Sequence, residues 1–154
     1  MSIKLALITA LTIFPFVTPV LAEIEIRDQY ALSSNAMAGA AFMVIHNHGD
    51  TDDKLLGVTS NAAKRVELHT HIEDENGVMR MVHVEAGFIL PAGNELHLKR
   101  GSNHVMFMGL TKPFKQDDNI AITFTFDNAG EINVNIPVDL DRSGYSEMSS
   151  EMDH

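Results

Sequence analysis

The chain has 154 residues, no cysteine, and a formal net charge of −10 at pH 7, so it is expected to repel nucleic acid and anionic lipid surfaces. The absence of cysteine excludes disulfides, thiolate zinc sites and a blue-copper centre. Imidazole and thioether remain as soft metal ligands, and the chain has 8 His and 9 Met to supply them.

The N-terminal segment has the layout of a secretory signal peptide. Lys4 precedes an almost wholly apolar stretch from Leu5 to Val20, and the segment ends at the small residue Ala22. The apolar stretch is short for a membrane span of about 20 residues, and prolines interrupt it. We therefore predict that residues 1–22 are cleaved off, that the exported chain enters the periplasm, and that it is not inserted in the membrane.

Alternating or apolar stretches separated by Gly, Pro, Asn and Asp indicate strands throughout the exported chain. In chain order they are 24–26, 40–45, 55–58, 65–71, 78–84, 88–90, 95–98, 105–110, 120–126 and 131–138. Short strands at these intervals are typical of an antiparallel sandwich or barrel, and no stretch has a sustained helical period. We predict one all-β domain over residues 23–138 and a disordered, acidic tail over residues 139–154.

Three short stretches concentrate the soft ligands, each with two of them at i, i+2 spacing. They are His69-Thr70-His71, Met79-Arg80-Met81 and His104-Val105-Met106. Residues two apart on a strand point to the same face of a sheet, so neighbouring strands can aim several donors at one point. Imidazole and thioether without thiolate favour Cu(I), and the pattern predicts a copper site. Four further histidines are expected to be ordinary surface residues: His46, His48, His83 and His97.

The hairpin that joins the first two stretches decides whether their ligands share a face. A two-residue Asn76-Gly77 turn would place Met81 on the opposite face from His69. A three-residue loop with Gly77 in the left-handed conformation would instead set His71 opposite Met81. Because that loop class is common and suits the glycine, we predict the three-residue loop.

These motifs resemble the signature of the PCuAC family of periplasmic copper chaperones. The matching stretches are Val66-Glu67-Leu68-His69, Gly77-Val78-Met79-Arg80-Met81, Pro91-Ala92-Gly93 and His104-Val105-Met106-Phe107-Met108-Gly109-Leu110. The likeness extends from about Ile24 through Val138. It implies a cupredoxin-like Greek-key β-sandwich that binds copper and is not an enzyme.

The resemblance also implies a ligand set, because in the family a His, a downstream Met and a final His-x-Met hold Cu(I). These positions fall on His69, Met81, His104 and Met106. Two departures stand out: Thr70 and His71 replace a Met that the family often has, and the spacing from Met81 to His104 is one residue longer. His71 and Met79 are therefore additional candidates, and which of Met79, Met81 and His71 completes the site stays open.

The resemblance further implies that a monomer binds one Cu(I) and transfers it to an acceptor. The acceptor would be a cytochrome c oxidase subunit, during assembly of the dinuclear copper site, or a Sco-type protein. Some family members have C-terminal extensions linked to a second copper ion, Cu(II), and the matching residues here are Met148, Met152 and His154. Two alternatives remain: a copper-redox or electron-transfer protein on the same fold, and a metal-free interaction module.

Overall fold

In the computed structural model, which describes residues 23–142, the chain is an all-β sandwich, as predicted. Its strands are β1 (Ile24–Ser33), β2 (Ala38–Asn47), β3 (Asp53–Thr59), β4 (Ala63–Glu73), β5 (Met79–His83), β6 (Phe88–Leu90), β7 (Glu95–Leu98), β8 (His104–Leu110), β9 (Asn119–Phe126) and β10 (Gly130–Pro137). A 3₁₀ helix, Leu140–Arg142, follows. None of the helical structure in residues 23–142 has the length and apolar character needed to cross a membrane.

The strands form two antiparallel sheets that pack face to face. The large sheet has the order β1-β2-β8-β4-β5, with β7 also paired to β2, and the small sheet has the order β10-β9-β3-β6. Apolar residues at alternate positions of both sheets meet between them and exclude water. The most deeply buried include Ile45, Leu55, Leu68, Phe107 and Phe124.

Strands β7 and β8 lie end to end along one edge of β2. Residues 43–46 of β2 pair with β7, and residues 38–41 pair with β8. The loop of residues 99–103, which we call the β7–β8 loop, therefore lies where one pairing ends and the other begins. It is closed by a hydrogen bond from the Lys99 amide to the Asn103 carbonyl (2.8 Å), with Gly101 at a φ of 75°.

The hairpin between β4 and β5 has the predicted three-residue loop, and His71 is directly opposite Met81. The Asp74 amide donates to the Val78 carbonyl and the Gly77 amide donates to the Asp74 carbonyl, both at 2.9 Å. Gly77 has a φ of 76°, a conformation that costs glycine little. The register on which the shared-face argument depended is thus confirmed.

Strand β1 is much longer than the three residues predicted for it. Its pairing with β2 shifts register between Arg27 and Tyr30, and Asp28 has a φ of 55°. An irregularity of this kind breaks the two-residue alternation of side chains. The sequence pattern therefore disappears after Arg27, although the strand continues to Ser33.

The fold also extends past residue 138, the last residue of the predicted domain. The Asp139 amide donates to the Ala31 carbonyl at 2.9 Å. The guanidinium of Arg142 lies 4.3 Å from the centroid of the Tyr30 ring, a cation–π contact. Residues 139–142, assigned to a disordered tail from their composition, therefore belong to the fold. The predicted signal peptide and residues 143–154 lie outside the described residues.

Candidate metal centre

The soft ligands predicted from the sequence share the outer face of the large sheet. His69 on β4 pairs directly with His104 on β8, and His71 pairs with Met81 on β5. Directly paired residues share a face, and Met106 shares it because it is two residues from His104. The three stretches therefore lie side by side across three adjacent strands.

His104 is the most buried of these residues, with 3% of its surface exposed. Burial lowers the pKa of His104, the hydrogen bond with Ser102 opposes this effect, and the neighbouring His71 and His69 add to it. Its Nδ1 lies 2.9 Å from the Ser102 carbonyl oxygen. A carbonyl can only accept, so Nδ1 carries the proton and the neutral ring presents an unprotonated Nε2, the form that binds metals.

His71 is oriented by the same carbonyl. Its Nδ1 lies 3.3 Å from the Ser102 oxygen, and its ring centroid is 5.3 Å from that of His104. One backbone group thus aligns two imidazoles, a role that backbone carbonyls often have around metal-binding histidines. The Thr70 hydroxyl donates to the Asn103 side-chain oxygen at 2.8 Å, which fastens the β7–β8 loop to β4.

His69 is held by a carboxylate instead. Its Nε2 lies 2.8 Å from Oε2 of Glu67, and its Nδ1 is buried without a hydrogen-bond partner among the described residues. The hydrogen bond from His69 lowers the pKa of Glu67 against the effect of burial, and Arg65 lowers it further. Because a buried nitrogen without a partner is costly, Nδ1 of His69 is well suited to accept a metal ion.

Met81 and Met106 border an open cavity of about 230 Å³ next to the imidazoles. Its apolar lining comes from Leu32, Ala40 and Phe42. Its potential ligands are His71, Met81, His104 and Met106. His71 rather than His69 lines the cavity, whereas His69 lies next to His104 with their ring centroids 5.9 Å apart.

Met79 shares the face but lies farther along the hairpin. It pairs with Glu73, two residues along the ladder beyond the pair of His71 and Met81. Two residues of strand correspond to about 7 Å. The structure thus brings Met81, and not Met79, next to the imidazoles.

The arrangement offers imidazole nitrogens and thioether sulfurs, with the nearby carboxylate of Glu67 already engaged by His69. His69, His71 and His104 do not by themselves bring three donor atoms within 4.8 Å of one another. A metal ion bound here would therefore need sulfur donors as well, which suits a soft monovalent ion. The predicted second-site residues Met148, Met152 and His154 lie outside the described residues.

Sequence reasoning missed the groups that orient the imidazoles. The role of Glu67 could have been predicted from the sequence, because Glu67 is two residues from His69 and therefore on the same strand face. The role of the Ser102 carbonyl could not have been predicted, because the direction of this group depends on the conformation of the β7–β8 loop.

His46 and His48, expected to be ordinary surface residues, lie close together and form a cluster with Glu25. They repeat the i, i+2 spacing, but both lie beyond the predicted strand 40–45, and the sequence pattern does not show which strand pairs with that segment.

Two sequence comparisons place the chain among known proteins. The family described as "Putative lipoprotein LpqE-like" matches residues 24–138. The chain is 32% identical over 124 residues to "Putative lipoprotein Lxx21020" of Leifsonia xyli subsp. xyli (strain CTCB07), covering 80% of this chain and 74% of that protein.

The fold is similar to that of solved PCuAC domains. The copper-bound PCuAC domain from PmoF2 matches with a TM-score of 0.62 at 20% identity, covering 77% of this chain and 93% of that domain. The solution structure of the Cu(I) form of DR1885 from Deinococcus radiodurans matches with a TM-score of 0.58 at 28% identity, covering 76% of this chain and 80% of that one. The resemblance to PCuAC domains inferred from the sequence is confirmed.

Proposed function

Because the chain belongs to the LpqE-like family, which is related to the PCuAC domains, we propose that it is an extracytoplasmic copper chaperone. It binds one Cu(I) on the outer face of the large sheet and transfers the ion to an acceptor protein. The observation that carries this proposal is the orientation of the imidazoles by Glu67 and by the Ser102 carbonyl.

Four residues are the ligands in this proposal: His69, Met81, His104 and Met106. His69 contributes Nδ1, which has no partner in the described part of the chain, and His104 contributes Nε2, opposite the nitrogen that binds Ser102. Neutral nitrogen and sulfur donors suit a monovalent soft ion and add no negative charge around it. His71 lies beside this set as a further donor.

The exposure of the ligands supports release as well as capture. Met81 is 45% exposed on β5, at one end of the strand order of the large sheet, whereas His69 and His104 are buried. An incoming donor can therefore replace the Met81 sulfur first while the two imidazoles still hold the ion. Stepwise ligand exchange of this kind moves copper without releasing it to water.

The wider setting follows from the family resemblance. The protein acts as a monomer in the periplasm after removal of residues 1–22, and its acceptor is a cytochrome c oxidase subunit or a Sco-type protein. Met148, Met152 and His154 bind a second copper ion, Cu(II), in the C-terminal segment.

The transfer claim is tested with protein loaded anaerobically with Cu(I) and an apo acceptor domain. Copper in each protein is measured after separation, once with the proteins mixed and once with a dialysis membrane between them. Direct transfer predicts that copper moves much faster in the mixture. Equal rates would mean passive release and would contradict a chaperone, and a coloured, reversibly cycling Cu(II) form would favour an electron-transfer protein.

A further inference from the structure

A second group of metal-binding side chains lies on the same face of the large sheet, away from the proposed Cu(I) site. Glu25 on β1 pairs with His46 on β2, and His48 follows the end of β2. Glu25, His46 and His48 each place one donor atom within 4.8 Å of the donor atoms of the other two. Within residues 23–142, no other three His, Asp or Glu residues have donor atoms this close together.

This group is separate from the Cu(I) site. Met106 pairs with Ala40 near the start of β2, and His46 is six residues farther along that strand. At about 3.3 Å per residue, the two positions are about 20 Å apart. No side chain can therefore serve both sites at once.

The contacts within the group leave it incompletely satisfied. Nε2 of His48 lies 2.8 Å from Oε2 of Glu25, and the ring centroids of His46 and His48 are 3.9 Å apart. Nδ1 of His46 is buried without a hydrogen-bond partner among the described residues, 3.9 Å from Oε1 of Glu95. Two imidazoles in contact beside a carboxylate, one with an unsatisfied buried nitrogen, are stabilised when a cation takes their lone pairs.

The surrounding charges keep the carboxylate of Glu25 ionised, and a metal ion would have to displace the guanidinium of Arg27, which lies 3.8 Å from Oε2 of that carboxylate. The hydrogen bond with His48 lowers the pKa of Glu25, burial opposes this, and the charges of His48 and Arg27 lower it further. Glu95 already binds Arg27 and His97, so it is not a free ligand. Three protein ligands remain, which leaves coordination positions for water or a small anion.

The donor set differs in kind from that of the Cu(I) site. It has imidazole nitrogens and a carboxylate oxygen and no thioether, a combination that suits divalent transition ions. Among the divalent ions of the first transition row, Cu(II) generally binds such donors most tightly. We propose that Glu25, His46 and His48 form a binding site for a divalent transition-metal ion, with Cu(II) preferred over Zn(II).

Binding needs only a small adjustment. Donor atoms about 2.0–2.1 Å from a metal lie about 3.3 Å apart in a tetrahedral site, and the donor atoms of this group already lie within 4.8 Å of one another. Glu25 and His48 are exposed, and their side chains are free to move toward the less exposed His46.

The test titrates Cu(II) and Zn(II) into the untagged protein carrying two sets of substitutions. His104→Ala and Met106→Ala remove the soft site, and Met148→Ala, Met152→Ala and His154→Ala remove the Cu(II) ligands proposed for the C-terminal segment. Cu(II) is followed by electron paramagnetic resonance and Zn(II) by calorimetry. We expect one equivalent of Cu(II) with nitrogen hyperfine coupling, bound more tightly than Zn(II). In the same background, His46→Ala, His48→Ala and Glu25→Gln should each weaken it at least about tenfold.

His97→Ala is the matched control, because His97 is an exposed histidine on the same face whose Nε2 binds Glu95. It should leave Cu(II) affinity unchanged. An equal loss in His97→Ala, or unchanged binding in a His46→Ala and His48→Ala double variant, would overturn the proposal.

The site is independent of the proposed function. In the otherwise unaltered chain, His46→Ala and His48→Ala should leave the Cu(I) equivalent intact and the thermal unfolding transition cooperative. A failure of Cu(I) binding in the parent protein would thus leave the divalent site standing, and loss of Cu(I) binding in these two variants would contradict it.

Discussion

His71 and His104 donate their Nδ1 protons to the same acceptor, the carbonyl oxygen of Ser102. The two rings come from different strands, β4 and β8, and the acceptor lies in the loop that precedes β8. The shared hydrogen bonds fix the tautomer of both rings before any metal arrives. The β7–β8 loop therefore belongs to the proposed copper site although it contributes no ligand.

The conformation of this loop should influence Cu(I) affinity directly. Gly101 has a φ of 75° and no neighbour within 4 Å of an added Cβ, so Gly101→Ala introduces backbone strain alone, about 1–2 kcal/mol. If the loop relieves that strain by moving, the Ser102 carbonyl turns away from the two imidazoles. We expect Cu(I) affinity to fall about tenfold, measured by competition with a colorimetric chelator.

Gly93→Ala is the control for this variant, because Gly93 also has a positive φ of 70° and open space around it. It lies in the turn before β7, away from the soft ligands. It should lower thermal stability to a similar extent and leave Cu(I) affinity unchanged. Equal affinities of Gly101→Ala and Gly93→Ala would show that the loop does not orient the ligands.

Glu67 should act on copper through His69. In Glu67→Gln the neutral amide no longer holds the Nε2 proton as strongly, so the tautomer that leaves Nδ1 for the metal is less favoured. Substitution of a residue that hydrogen-bonds to a metal ligand typically lowers metal affinity 10–100-fold, and we expect a loss of Cu(I) affinity of about that size. Glu73→Gln, on the same strand and face but opposite Met79, should have no effect. Identical affinities of the two variants would contradict the role of Glu67.

The two methionines of β5 should differ in effect although both are exposed. Met81 is opposite His71, and Met79 is two residues farther along the ladder, opposite Glu73. Met81→Ala should weaken Cu(I) binding at least about tenfold, whereas Met79→Ala should leave it unchanged. The same chelator competition measures both, and a greater loss in Met79→Ala would reverse the assignment.

Cu(I) affinity should depend on pH through the histidine ligands. A protonated imidazole cannot bind a metal, so affinity decreases as pH falls through the pKa values of the ligands. Burial lowers the pKa of His104, and its proton therefore competes only below the usual value of about 6.5. Chelator competition from about pH 8 to about pH 4 should show constant affinity first and then a decline. Affinity unchanged down to about pH 4 would argue against histidine ligands.

Much of the site could be predicted because it depends on strand periodicity and one turn. The i, i+2 spacing placed the ligands of each strand on one face, and Gly77 fixed the loop that sets His71 opposite Met81. Both are local properties of the sequence. Once the register was known, the neighbours across β4 and β5 followed.

The parts that were not predicted depend on contacts between distant segments. The Ser102 carbonyl reaches two imidazoles because β7 and β8 share one edge of β2. The pairing of Glu25 with His46 depends on the contact of β1 with β2, and on β2 continuing past residue 45, where its predicted strand ended. Residues 139–142 look like a polar tail, yet Arg142 stacks on Tyr30, more than a hundred residues earlier in the chain.

The most direct test of the copper site is an anaerobic Cu(I) titration of the untagged protein against a competing colorimetric chelator. It is repeated on His104→Ala, on Met106→Ala, and on Met108→Ala as the control. Met108 shares the strand and face of Met106, but its sulfur lies 3.7 Å from the guanidinium of Arg65. We expect one tight equivalent, lost or much weakened in the first two variants and retained in Met108→Ala. No competition by the parent protein, or equal binding by all four proteins, would contradict it.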